Sequence, residues 1–308
     1  MISQMVGIQK NILLKNHSTF KIGGPARYFT TVRKTPQLVE FLRWAEDRNL
    51  PVFVLGNGSN ILFPDEIIEG LVIKIQISDI KQEGGMITCG AGAPLGKILE
   101  VSAKNSLSGL EWSAGIPGTI GGAIFGNAGS LGKETKDVVE SVKAIRLKDF
   151  KTENFSKNAC SFSYRSSVFR EKGGFIILEA RLKLQKSDKK FVEERIKNNL
   201  SLRAKKQPLD YPSIGSIFKN VKITDKKNPE FKKFLKAGKI PAAYLVASCG
   251  LKGKIIGDAK VSEKHSNFII NLGKASSRDV LNLIVLIKEK VKDKFGIELE
   301  EEIILVHL

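Results

Sequence analysis

Apolar positions recur along the chain with two periods, and the changes between them outline the elements. Over 36–49, Leu38, Phe41, Leu42 and Ala45 share one helical face, Pro36 suits the first turn and Thr35 the cap. After Pro51 the apolar run Val52–Leu55 predicts a buried strand that leads straight into Gly56-Asn57-Gly58-Ser59-Asn60. A second strand over 71–75 makes the first 75 residues a small α/β unit. Residues 86–89 read as a strand, and 94–105 as a helix burying Leu95, Ile98 and Leu99. Residues 138–147 and 175–184 read as long strands. In the second, Ile176, Leu178, Ala180, Leu182 and Leu184 alternate with Ile177, Glu179, Arg181 and Lys183.

The polar stretch at 186–190 marks a domain boundary. Beyond it, Phe191, Val192, Ile196 and Leu200 mark a helix with a charged opposite face, ended by Gln207-Pro208. Residues 209–220 read as irregular. Short helices follow around Phe231, Phe234 and Leu235 and over 241–249, then a strand over 267–271. Ser276 or Ser277 caps a long helix whose apolar face is Val280, Leu281, Ile284, Ile287 and Val291 and which ends at Phe295-Gly296. A strand over 299–306 closes the chain. The expected division is 1–75, 76–187 and 188–308, leaving open whether the last strand returns toward the first two parts.

A chain of 308 residues has room for two or three domains. Three widely spaced cysteines, Cys89, Cys160 and Cys249, and three scattered histidines, His17, His265 and His307, make a disulfide scaffold or a metal site improbable. Lysine and arginine number 50 against 32 acidic residues, a net charge of +18. That suits anionic ligands in general. The cations are dispersed, and no RNP aromatic motif, KH loop, zinc pattern or helix-turn-helix accompanies them, so nucleic acid is not the expected partner. No apolar run spans a bilayer, and the start lacks a basic stretch followed by an apolar one, so a cytoplasmic protein without membrane insertion is expected.

The chain has 28 glycines, and their placement is informative. Gly56-Asn57-Gly58-Ser59-Asn60 and Gly115-Ile116-Pro117-Gly118-Thr119-Ile120-Gly121-Gly122-Ala123 are two apolar-flanked loops without lysine or aspartate. Successive backbone N–H groups in such loops make a nest for phosphate oxygens. Ser59 and Thr119 offer hydroxyls, and Asn60 and Asn127 amides. Tight turns between strands are the plain alternative. Neither loop is the GxGxxG dinucleotide fingerprint or a P-loop, which disfavours a Rossmann enzyme or an NTPase.

The first loop resembles the pyrophosphate loop of the flavin fold shared by vanillyl-alcohol-oxidase-like proteins. The second, with Asn127-Ala128-Gly129, resembles the flavin segment of the UDP-N-acetylenolpyruvoylglucosamine reductase family. Further segments match that family: His17-Ser18-Thr19-Phe20, Tyr164-Arg165-Ser166-Ser167, Gly215-Ser216-Ile217-Phe218-Lys219-Asn220, Ala247-Ser248-Cys249-Gly250, His265-Ser266-Asn267-Phe268 and Glu298-Leu299-Glu300-Glu301-Glu302. The resemblance covers about residues 13 to 306. It departs at Val221 and Glu301, where the family often has proline. It also follows the shorter form of the family, without an inserted tyrosine-bearing segment.

The resemblance implies an α+β fold, a two-part flavin-binding region followed by an α+β substrate domain. It implies noncovalent FAD held by Gly56, Asn57, Gly58, Ser59, Asn60, Gly115, Ile116, Pro117, Gly118, Thr119, Gly121, Gly122 and Ala123. NADPH is the implied hydride donor and UDP-N-acetylglucosamine enolpyruvate the substrate, with a monomer as the working form. Arg165 is the implied clamp on the enolpyruvyl carboxylate, Ser216 the proton donor to carbon, and Glu302 the stabiliser of the enol. Lys206 and Asn220 are implied at the substrate. On the residues alone, Ser216 is an ordinary loop serine, and Glu298, Glu300 and Glu302 share one face of a strand. His17, Trp112, Lys219, His265 and Asn267 each read equally as core or local structure.

Overall fold

The computed structural model describes residues 6–223 and 229–306. The chain start at 1–5 and His307 lie outside them. The chain packs as two compact units, each made of discontinuous segments. Among the described residues the first comprises 6–12, 26–57 and 68–205, and the second 13–25, 58–67, 206–223 and 229–306. This differs from the continuous segments expected with a cut after 187. Residues 13–25 and 58–67 pack with the C-terminal third because Phe20, Ile22 and Leu62 are buried in its core.

The first unit holds two sheets on one apolar core. Pro25–Val32, Ile68–Ile75 and Val52–Leu55 are parallel neighbours in that order, with Gln9–Leu13 at the edge beside Pro25–Val32. The helix Thr35–Glu46 makes the crossover, as parallel pairing requires. It buries Leu38, Phe41, Leu42 and Ala45, the face read from the sequence. Lys34 rather than Thr35 takes the cap position. The strand Val52–Leu55 buries only Leu55, and Val54 is 41% exposed, because Val54 lies on an uncovered side of an edge strand.

The second sheet is antiparallel, in the order Thr152–Ser156, Val139–Arg146, Phe175–Lys183, Met86–Gly90, Ile80–Glu83. Its inward row includes Ile87, Cys89, Leu178, Ala180 and Leu182, while Arg181 and Lys183 point outward. The helix Leu95–Lys104 covers this sheet with Leu95, Ile98 and Leu99. The helix Lys189–Lys206 buries only Val192 fully, and the expected face is incomplete, with Phe191 and Leu200 exposed. It is tied instead by polar bonds: Asn199 Nδ2 donates to the Glu111 carbonyl and Arg203 Nε to the Ala114 carbonyl.

The second unit packs the helix Ser277–Phe295 against a small antiparallel sheet of Ile255–Ile256, Ala259–Val261 and Ile269–Asn271. Ser276 caps that helix in a reciprocal box with Asp279, and Gly296 ends it in the left-handed conformation. The expected strand over 299–306 is regular only at Ile304–Leu305, which pairs in parallel with Ile61–Leu62. Residues 302 and 303 bend, and Glu301 pairs singly with Phe218. Among the described residues no helix is long and apolar enough to cross a membrane.

Candidate active site

The two glycine segments meet within the first unit. Asn57 Nδ2 donates to the Pro117 carbonyl, and a side chain on Gly56 would begin 2.6 Å from Thr119 Oγ1. Only glycine lets the backbone come that close. The second segment is not all loop: Ile120–Phe125 forms a short helix, capped by the Thr119 hydroxyl accepting from Gly122 N. Gly58, which begins a segment of the second unit, has φ +62° and faces the His17 carbonyl, which would lie 2.1 Å from an added Cβ. The Gly58 carbonyl in turn accepts from Thr19 N and Ser18 Oγ. The His17-Ser18-Thr19 motif and the first loop are thus one local structure.

Two of the side-chain donors expected to serve a phosphate, Asn60 and Asn127, are turned onto the protein. Asn60 Nδ2 donates to the Glu302 carbonyl, and Asn127 Nδ2 to Ser163 and Glu134. What stays unspent is backbone. Among the described residues, the N–H groups of Asn57, Gly58, Ser59 and Asn60 have no protein acceptor. A run of unspent amides fits the diphosphate of FAD. Gly122 fits as well, since the space beyond it meets nothing closer than Thr119 Oγ1 at 3.6 Å.

Arg165 sits at the tip of a tight turn closed by Ser163 and Ser166, whose backbones pair in both directions. It adopts φ +58°, a left-handed conformation unusual for a residue with a side chain. Its Nη2 donates to the Gly129 carbonyl, its guanidinium lies over the Tyr164 ring, and Arg170 donates to its carbonyl. The turn is anchored by Asn127, fully buried at φ +40°, which donates to the Ser163 carbonyl at 2.7 Å and accepts from Lys136 N. The tail of the second glycine segment therefore builds the support of Arg165. The Asn-Ala-Gly motif was the visible signal for this, read there as a ligand contact.

Ser216 and Glu302 lie 86 positions apart in sequence and are joined through one residue in the second unit. Glu302 N donates to the Ile217 carbonyl at 2.8 Å, and Lys219 N to the Glu300 carbonyl at 2.8 Å. On the other side Ser216 pairs with Phe268. Ser216 is partly exposed, whereas Ile214, Ile217 and Phe218 around it are buried. Ser216 is thus carried on a backbone paired on both sides and left partly exposed. The neighbouring glutamates differ from the even row expected of a strand. Glu300 is paired with Lys219, Glu301 with Lys288 and Glu298 with Lys292. Glu301 pairs with Phe218, and Val221 with Ile240 in a short strand, so both positions lacking proline are engaged in backbone pairing.

Lys206 ends its helix exposed, close enough to His265 for its charge to act there. Burial first, then the cations of Lys206 and Lys252, push the His265 imidazole below its ordinary pKa, and its Nδ1 is buried without a protein partner. Asn220 uses its side-chain oxygen to accept from Ala242 N at the start of the helix Ala242–Ser248. Trp112 is core, 3% exposed. Asn267 is bonded through its side chain to both polar groups of Phe218, which its sequence pattern does not signal. Among the described residues no three His, Cys, Asp or Glu side chains gather to hold a metal.

Comparison with known proteins covers the same ground. Residues 26–149 match the FAD binding domain family, and residues 207–306 match the C-terminal domain of UDP-N-acetylenolpyruvoylglucosamine reductase. The UDP-N-acetylenolpyruvoylglucosamine reductase of Clostridium tetani is 41% identical over 300 residues, spanning 97% of this chain and 92% of its own length. That of Caldanaerobacter subterraneus is 41% identical over 299 residues, 95% and 91% of the two lengths. The crystal structure of the Thermus caldophilus reductase superposes with a TM-score of 0.79 at 33% identity, covering 96% of this chain and 98% of that one. The α+β fold expected from the motifs is the one the chain has. With such identity running from end to end and the FAD-binding and C-terminal domains both present, the chain belongs to the UDP-N-acetylenolpyruvoylglucosamine reductases, FAD-dependent oxidoreductases of peptidoglycan precursor synthesis.

Proposed function

We propose that the chain reduces UDP-N-acetylglucosamine enolpyruvate to UDP-N-acetylmuramate with NADPH as reductant and Ser216 as the proton donor to carbon. FAD, when bound, supplies the hydride chemistry. The backbone amides of Asn57–Asn60 and the segment from Gly115 to Ala123 hold it. The chain's own residues orient the substrate, stabilise charge and deliver one proton.

Arg165 binds the enolpyruvyl carboxylate, for which a planar guanidinium offers two parallel donors. As negative charge grows on that carboxylate, the fixed cation stabilises it without reorganising. Ser216 then gives its hydroxyl proton to the adjacent carbon. A serine hydroxyl is a weak acid, so this works only toward a strong carbon base and from a fixed position. Glu302 stabilises the enol form beside it. Lys206 meets the diphosphate as a point charge, and Asn220 contacts the sugar nucleotide through its amide.

The observation that supports this reading is the bond from Glu302 N to the Ile217 carbonyl, which joins the backbones of the Ser216 and Glu302 motifs. The test separates the two half-reactions. In Ser216→Ala, reduction of bound FAD by NADPH should run at the native rate. Reoxidation by the enolpyruvyl substrate should fall by at least ~10²–10⁴-fold, the usual span of a general acid. Substrate reduction at the native rate would remove Ser216 as the donor.

A further inference from the structure

We infer that Asn267 is a positioning residue for Ser216: its buried carboxamide stands in for a missing neighbouring strand and fixes the backbone that aims the serine hydroxyl. The inference rests on the assignment of Ser216 above.

Ser216 lies on 209–220, a stretch with no regular strand of its own. One flank is held by the chain tail, through the bonds of Glu302 N to the Ile217 carbonyl and Lys219 N to the Glu300 carbonyl. The opposite flank is held by Asn267. Its Oδ1 accepts from Phe218 N at 3.0 Å, its Nδ2 donates to the Phe218 carbonyl at 2.8 Å, and its own carbonyl accepts from Ile217 N at 2.8 Å. One residue therefore binds the two amides that follow Ser216, while its neighbour Phe268 pairs with Ser216 itself.

A residue needed only to fill this space would be apolar. Asn267 is 4% exposed, and a buried carboxamide is costly unless its groups are paired. The bonds recorded for its carboxamide both go to Phe218, two residues from the serine hydroxyl. This spends polar pairing on the rigidity of one short backbone stretch. The chemistry gives a reason. A poor acid protonating carbon depends on placement, and a displacement of about 1 Å can cost on the order of 10²-fold in rate.

The test uses the FAD-bound protein, its Ser216→Ala variant and three further variants. Asn267→Leu removes both side-chain bonds at similar volume, Asn267→Asp keeps the acceptor for Phe218 N, and Asn267→Leu is also placed in the Ser216→Ala background. Asn267→Leu should leave FAD reduction by NADPH native and slow single-turnover reoxidation by the enolpyruvyl substrate roughly 10–10²-fold. The affinity for UDP-N-acetylglucosamine, a ligand with no vinyl group to reduce, should stay within about threefold. Asn267→Asp should fall between the native protein and the leucine variant, and it carries the test if the leucine variant fails to hold flavin. In the Ser216→Ala background the leucine substitution should cost nothing further, because residues acting as one unit are not additive. A native reoxidation rate in Asn267→Asp and Asn267→Leu, or the same fractional loss with and without Ser216, overturns the inference. Native turnover in Ser216→Ala alone overturns the serine assignment, and this inference with it.

Discussion

The support of Arg165 can be tested by removing the side chain of Asn127. That side chain makes three bonds: Nδ2 to the Ser163 carbonyl at 2.7 Å, Nδ2 to Glu134 Oε2 at 3.1 Å, and Oδ1 from Lys136 N at 3.1 Å. Asn127→Gly keeps the left-handed backbone but strands the Lys136 N–H and leaves the Ser163 carbonyl with the Ser166 N–H alone. A stranded buried group costs about 1–3 kcal/mol. Lys136 is half-buried and Ser163 exposed, so the loss falls mainly on the Lys136 N–H and amounts to about 1–2 kcal/mol. Asn127→Ala adds about 1 kcal/mol or more for a Cβ at φ +40°. Asn127→Asp retains the acceptor for Lys136 N but turns a carboxylate toward Glu134 and the Ser163 carbonyl, and it should be the worst of the three. For a unit of this size each kcal/mol moves the melting temperature by roughly 2–4 °C, so thermal melts rank the series. The turn that loses its anchor carries Arg165, so affinity for the enolpyruvyl substrate should fall in step, while UDP-N-acetylglucosamine binding should not. A glycine variant that melts within about 1 °C of the native protein would refute the bond accounting. One that is destabilised yet binds the enolpyruvyl substrate normally would refute the link to Arg165.

Two further outcomes follow from burial and close approach. Gly58→Ala places a Cβ 2.1 Å from the His17 carbonyl at φ +62°, so the first loop must open, and the purified variant should carry much less FAD by its visible absorbance; a fully yellow protein would show that the loop tolerates the shift. Burial, helped by Glu179, pushes the Cys89 thiol up to about 12, and burial alone pushes Cys160 up to about 11, from an ordinary value near 9. Folded thiols that stay protonated where unfolded ones ionise give a stability that is whole below pH 9 and lost as pH rises toward 11–12. Urea melts should therefore lose more stability between pH 8.5 and 10.5 in the native protein than in Cys89→Ala, and equal slopes would count against a dry thiol.

Much of the fold was legible wherever one face of an element is covered. Leu38, Phe41, Leu42 and Ala45, or Val280, Ile284, Ile287 and Val291, are buried as their spacing demands, whereas Leu281, expected on the second of these faces, is exposed. The periodicity misled where the covering is partial or the chain bends. Val52–Leu55 looks like a core strand by composition but lies at a sheet edge. Residues 299–306 look like a strand, yet three of their glutamate neighbours are spent on lysines and the backbone turns at 302 and 303. Pattern reports which side chains leave water; it does not report which long-range backbone will be there to pair with.

The candidate site shows the same limit more sharply. Motifs do not tell which partner a loop asparagine meets, because it has the same sequence whether its amide meets a ligand or a carbonyl. The amides of Asn57, Asn60 and Asn127 each donate to a carbonyl of the protein. The consequence is physical: with the asparagine side chains bracing the first loop, the backbone N–H groups of Asn57–Asn60 stay without a protein acceptor among the described residues. A rigid backbone donor pays no side-chain entropy on binding. The same division of labour recurs at Ser216, where Asn267 on one flank and the Glu302 amide on the other hold Ile217 and Phe218. In both places the polar side chains that look chemical act as braces, and accessibility is kept for a few groups that the braces hold still. For the proposed serine acid, as weak as a hydroxyl is, that stillness is the main thing the fold can supply beyond charge.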